Sequence, residues 1–205
     1  MRYSILILVL IALSVAAWPQ TETRPKAGSL HTFTSPDGSF QVTYPDMLVR
    51  CELTSQKPGE AYYWKERECG AYLSVCGDGP TPGEPLACIA YPSHQSGVSP
   101  RLEAAAISFS EYAESEEGCS NGAKKIVEIH GVKFYASEEG DAGLGHGRDS
   151  KSYMTFRNGK CYVMVITGVV VTAEIDPPQR QLTKRDWAEI YRPLGQTRDS
   201  VRFLK

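Results

Sequence analysis

Few residues in this chain have the means to do chemistry: six cysteines, four histidines and one glycine-rich charged stretch. That stretch, residues 141–149, reads Asp141-Ala142-Gly143-Leu144-Gly145-His146-Gly147-Arg148-Asp149. Alternating glycines let backbone N–H groups approach a bound anion, and Arg148 adds a charge-assisted contact. His146 supplies a general base or a pH-sensitive charge. The candidate binding residues are therefore Asp141, Gly143, Gly145, His146, Gly147, Arg148 and Asp149. The plainer reading is a mobile loop between strands, with glycine serving turn geometry.

The cysteines are Cys51, Cys69, Cys76, Cys88, Cys119 and Cys161. An even count on an exported chain reads as a disulfide framework. Six cysteines allow fifteen pairings, and sequence alone does not choose among them. The pairing expected here is Cys76 with Cys88 across a loop, Cys119 with Cys161 from a helix end to a central strand, and Cys51 with Cys69 by elimination. A metal cluster is the weaker reading, because no CxxC occurs and the histidines are scattered. No cofactor is implied. A catalytic cysteine needs a free thiolate, which a fully bridged set does not leave.

Residues 118–122, Gly-Cys-Ser-Asn-Gly, match G-x-S-x-G in letters. The nucleophile elbow works on a strained turn from strand into helix. Here a helix is expected before the motif and a strand after it, so the match is accidental. HExxH, Walker, EF-hand and Rossmann signatures do not occur. The net charge of −2, with no clustered Lys or Arg, argues against nucleic acid or an anionic membrane as partner.

The chain opens Met1-Arg2-Tyr3, runs apolar over 5–13, and then reaches Ser14, Val15, Ala16 and Ala17. One positive charge, an apolar run and small residues describe a secretory signal peptide, residues 1–17. That places the mature protein in the periplasm or outside the cell, and no later stretch is long enough for a membrane span. Residues 18–28 are a loose polar leader, and 29–205 form one domain.

The elements that must position the candidate residues follow from pattern. Phe40, Val42 and Tyr44 alternate with polar residues after a Pro-Asp-Gly turn, which predicts a hairpin with 30–34. Residues 71–76 and 86–91 read as strands. Ser99-Pro100, with Leu102, Ala106, Phe109 and Ala113 at helical spacing, predicts a helix that Gly118 stops. Its glutamates, Glu111, Glu114, Glu116 and Glu117, would then oppose the helix dipole. Residues 124–129 and 132–137 flank His130-Gly131 as a hairpin. Asn158-Gly159 is the strongest turn signal and demands a type I′ hairpin. Its register pairs Phe156 with Cys161 and Met154 with Val163 on one face, Thr155 with Tyr162 and Tyr153 with Met164 on the other. Residues 161–166 are apolar on both faces, so this strand belongs at the centre of a sheet. Thr183 caps a last helix, with Asp186 in capping-box position and Pro193 expected to kink or split it. Tyr62, Tyr63 and Trp64 are an aromatic group that either stacks on a ligand or covers the core.

The hairpin F-x-S-P-D-G-S-F-x-V-x-Y-P, residues 33–45, and the closing S-V-R-F-L, residues 200–204, frame most of the mature chain. Together with the element order they resemble the PsbP-like fold, named for an extrinsic subunit of photosystem II. The chain also looks like exported proteins of soil bacteria that have no assigned activity. The PsbP-like resemblance implies an α+β fold, an antiparallel sheet covered by helices, and work done by binding other proteins. It carries no catalytic residues across, and the six cysteines depart from its pattern. The expectation is an exported, disulfide-stabilised, non-catalytic binding or envelope-associated protein, its partner another protein or a small ligand. The alternatives are a small periplasmic hydrolase using His146, and a secreted inhibitor or structural factor using the 77–87 loop.

Overall fold

The computed structural model describes residues 28–51, 73–76, 83–92, 101–143, 145–173 and 180–204. The signal segment, Tyr62, Tyr63, Trp64, Cys69 and the Ser99-Pro100 cap lie outside the described residues, as does most of the 77–87 loop.

Two antiparallel sheets are stacked. The smaller is β1 (Leu30–Thr34), β2 (Phe40–Pro45) and β10 (Arg202–Phe203), with β2 in the middle. Its tight turn is built as the sequence requires. Gly38 takes a positive φ of 69°, and the Asp37 carboxylate accepts from the Ser39 amide and from the Ser35 and Ser39 hydroxyls. The larger sheet comprises β3 (Val49–Cys51), β4 (Glu84–Ala90), β5 (Leu102–Ala113), β6 (Lys125–Ile129), β7 (Val132–Gly143), β8 (His146–Arg157) and β9 (Lys160–Val171). Their order across the sheet is β3-β4-β5-β9-β8-β7-β6. β9 therefore stands at the centre, as its two apolar faces demand. The Asn158-Gly159 turn sets the expected register: Phe156 opposite Cys161, Thr155 opposite Tyr162, Met154 opposite Val163, Tyr153 opposite Met164. Both turn residues have positive φ, 52° and 77°, and His130-Gly131 repeats the pattern at 49° and 78°.

One face of the large sheet meets the small sheet and α3 (Lys184–Asp199). Phe40, Val42 and Tyr44 from β2 and Ile190 and Leu194 from α3 pack on Ile107, Phe109, Met164 and Ile166. The Phe40 ring stacks on Phe109 at 5.5 Å, and Tyr162 meets Phe203 edge-on at 5.2 Å. The opposite face carries two short helices, each stapled down. α1 (Leu73–Cys76) is tied to β4 by Cys76–Cys88, and α2 (Glu116–Ser120) to β9 by Cys119–Cys161. Cys51 is disulfide-bonded as well.

Four expectations are corrected. The helix drawn through residues 102–113 is the strand β5, paired to β4 and β9. Ala105, Ile107 and Phe109 face the main core, and Ala104 and Ala106 face the second cluster. A strand buried on both sides carries apolar residues at every spacing, including the helical one, and pairing on both edges overrides alanine's helix preference. Glu116 and Glu117 accordingly lie in the first turn of α2, where their charge suits the helix dipole. Residues 73–76, read as strand, form a helical turn held by its bridge. Pro193 does not split α3, which runs unbroken through it with Ile190, Leu194 and Thr197 all buried. Finally, helices cover only a small part of the large sheet, and the β1-β2-β10 sheet supplies much of the covering layer. Among the described residues no helix is long and apolar enough to cross a membrane.

Candidate functional site

The glycine-rich stretch is not a loop but the far end of the β7–β8 hairpin. The ladder continues through Gly140 opposite Asp149, Asp141 opposite Arg148, Ala142 opposite Gly147 and Gly143 opposite His146. Gly147 also pairs with Val170 of β9. Its backbone thus serves neighbouring strands on both sides. Glycine is needed here for close approach: a Cβ on Gly145, whose φ is 83°, would stand 2.9 Å from Ala173 Cβ. Gly145 O accepts from the amides of Thr172 and Ala173 at 2.7 and 2.9 Å. Nearby, the buried Arg101 guanidinium donates to the carbonyls of Val171, Ala173 and Arg180 at 3.0–3.1 Å. The hairpin end is fastened, not loose.

Strand alternation divides the candidate residues between two faces. His146 and Arg148 project from one face of β8, with Asp141 opposite Arg148 on that same face. Arg148 lines a shallow surface depression with Asp141, Glu139, Gly140 and Ser150. His146 Nδ1 lies 2.8 Å from Glu103 Oε2, with the two side chains 53% and 41% exposed. Asp149 projects from the other face and is not part of this group. Its Oδ2 accepts from the Tyr191 hydroxyl of α3 at 2.9 Å, and Lys151 Nζ sits over the Tyr191 ring at 5.3 Å. Burial raises the Tyr191 phenol well above its ordinary range, and the Asp149 charge adds to the effect.

The chemistry open to this arrangement is limited. His146 and Glu103 have the geometry of a base and its orienting carboxylate. Ser150, the nearest hydroxyl of β8 on the same face, lies four residues along the strand, about 13 Å away, and its Oγ is buried against Thr167 Oγ1 at 3.2 Å. Ser120, of the G-x-S-x-G letters, donates to the Glu117 carbonyl on α2, with a helix before it and a strand after it. The sulfurs of Cys51, Cys76 and Cys88 lie within 4.8 Å of one another, but all three are in disulfides, which leaves no thiolate to ligate while the bridges stand. What the hairpin end presents is an open surface of mixed charge.

Sequence reasoning missed Glu103, Glu139, Ser150 and Tyr191. Glu103 falls within the expected helix; the alternation of 104–109 between two faces signals the strand, but nothing local signals the irregularity between Leu102 and Ala104 at which Glu103 meets His146. Tyr191 belongs to a helical stripe whose partner strand no local pattern names.

No family model matches this chain, and no curated protein does. Several solved structures are similar to it, three of them as follows. One from Bacteroides thetaiotaomicron VPI-5482 has 11% identity and a TM-score of 0.44, covering 88% of this chain and 50% of its own. This chain thus spans about half the length of that structure. Cyanobacterial PsbP (CyanoP) from Synechocystis sp. PCC 6803 has 11% identity and a TM-score of 0.37, with 88% and 95% covered. LpqN of Mycobacterium tuberculosis, described as involved in cell envelope biogenesis, has 8% identity and a TM-score of 0.39, with 84% and 89% covered. These likenesses assign neither an activity nor a partner.

Proposed function

We propose that this is an exported, envelope-associated binding protein without catalysis, and that it meets a protein partner through the open end of the β7–β8 hairpin. Asp141, His146 and Arg148 carry the contact, with Glu103 and Glu139 beside them. The observation that carries this reading is the half-exposed His146–Glu103 pair on a ladder-bonded strand end. A catalytic base is held in a desolvated cleft where its partner's charge acts at low dielectric. A contact surface needs rigid backbone and accessible side chains, and both are present here. The fastened hairpin also lowers the entropy lost on binding.

The same pair favours a second reading, a small hydrolase with His146 as general base and Glu103 as its orienting group. The two separate in one experiment. Cross-linking of the native protein in its own cells is compared with H146A and R148A variants, and each purified protein is assayed on a panel of simple esters and amides. Binding predicts specific adducts that fall in both variants at an unchanged melting temperature, with no turnover. Turnover abolished by H146A alone would overturn it.

A further inference from the structure

The outer edge of β7 is only half used. β6 pairs with it as far as Lys125 opposite Ala136, whereas on the inner side β8 continues the ladder to Gly143. The Lys124 amide donates to Ala136 O and its Nζ to Glu138 O, so the open edge begins at Glu139. Among the described residues no strand takes this edge, and residues 138–143 are all exposed. Five residues span about 16 Å, an ordinary strand length. A bare edge of that length is a template for another chain.

Charge selects the occupant. Glu139 and Asp141 stand on one face, lining the same depression as Arg148 and Ser150. Glu138, on the other face, is already paired with Lys125 at 2.6 Å. A second copy of this chain pairing edge to edge would bring its own carboxylates toward these two, and like charges across a ladder destabilise it. A segment with Lys or Arg at alternate positions on one face meets them with opposite charge while its backbone completes the ladder. We propose that residues 139–143 of β7 accept an extended basic segment of a partner protein as an added strand. This rests on the binding reading above and names the partner's chemistry: main-chain hydrogen bonds supply affinity, and the acidic pair supplies selectivity.

The probe is an acetylated, amidated peptide of about nine residues alternating Lys with Thr. Two controls accompany it, the same peptide with every backbone amide N-methylated and one alternating Glu with Thr. Each is titrated into isotope-labelled protein while amide resonances are followed. The Lys peptide should move resonances confined to 137–143 and their β8 neighbours. N-methylation should weaken binding by at least about tenfold, since the ladder bonds are lost. The E139Q/D141N variant, which keeps its fold because both residues are exposed, should weaken it about threefold to tenfold, and the Glu peptide should not bind. Equal binding of the N-methylated peptide, shifts elsewhere, no binding of the Lys peptide, or dimerisation of the free protein through this edge would each overturn the inference. If adducts still depend on Arg148 when the peptide fails, the contact surface stands and only the strand addition is wrong.

Discussion

Gly168 marks the point where α3 touches the centre of the large sheet. The Trp187 and Tyr191 rings stack at 5.3 Å, and a Cβ on Gly168 would lie 2.8 Å from both Trp187 Cζ3 and the Tyr191 hydroxyl. Gly168→Ala should therefore lift both rings, loosen the Tyr191–Asp149 hydrogen bond and cost about 1–3 kcal/mol, the range for overpacking, read by denaturant unfolding. Tyr91 makes a separate prediction about pH. Burial pushes its phenol up to about 12, and its hydroxyl donates to Ile190 O at 2.9 Å. An unfolded tyrosine ionises near about 10. The stability contributed by the neutral phenol is complete below that pH and is lost as pH rises toward about 12. Melting temperature should fall across this window, and Tyr91→Phe should fall less steeply there than the native protein.

At the scale of elements, α3 depends on its first turn. The Thr183 hydroxyl accepts from the Asp186 amide, and the Asp186 carboxylate accepts from the Thr183 amide and hydroxyl and from Arg180. The Arg180 hydrogen bond, ahead of those from Thr183, holds the Asp186 carboxyl well below the usual range. A depressed carboxyl stabilises the fold above its unfolded pKa, near about 4, and that contribution is lost as pH falls through the folded value. Thr183→Ala should cost about 1 kcal/mol at neutral pH, measured by chemical unfolding, and should flatten the acid limb of stability. This cap was legible because its signals are local: a Thr, an Asp three residues on, and an apolar stripe. The Asn158-Gly159 hairpin was legible for the same reason, down to its register. β5 was not, because what decides it is non-local. β4 and β9 pair with its two edges, β2 and α3 bury one face and α1 the other, and no window of sequence contains them. The strand character of the hairpin end is non-local in the same way: residues 141–149 read locally as a loop, whereas β9 and residues 172–173 close on Gly145 and Gly147 from across the sheet.

Across the whole molecule, the bridges hold the two short helices to the sheet. α2 has five residues, far too few to persist alone, and Cys119–Cys161 links it to the central strand over a separation of 42. Replacing both cysteines by Ser should cost about 2–5 kcal/mol, measured by unfolding, with amide exchange rising first in α2 and last in β5 and β9. On the proposed reading, the fastened end of the β7–β8 hairpin is the contact surface. Photo-cross-linking supplies the test, with p-benzoylphenylalanine placed at the exposed Gly143, which lies opposite His146 and has open space at its Cβ, in one protein and at the exposed Glu189 of α3 in another, each in its native cells. Adducts to a specific protein from position 143 and none from 189 are expected. Equal adducts from both positions, or adducts from 189 alone, would contradict it.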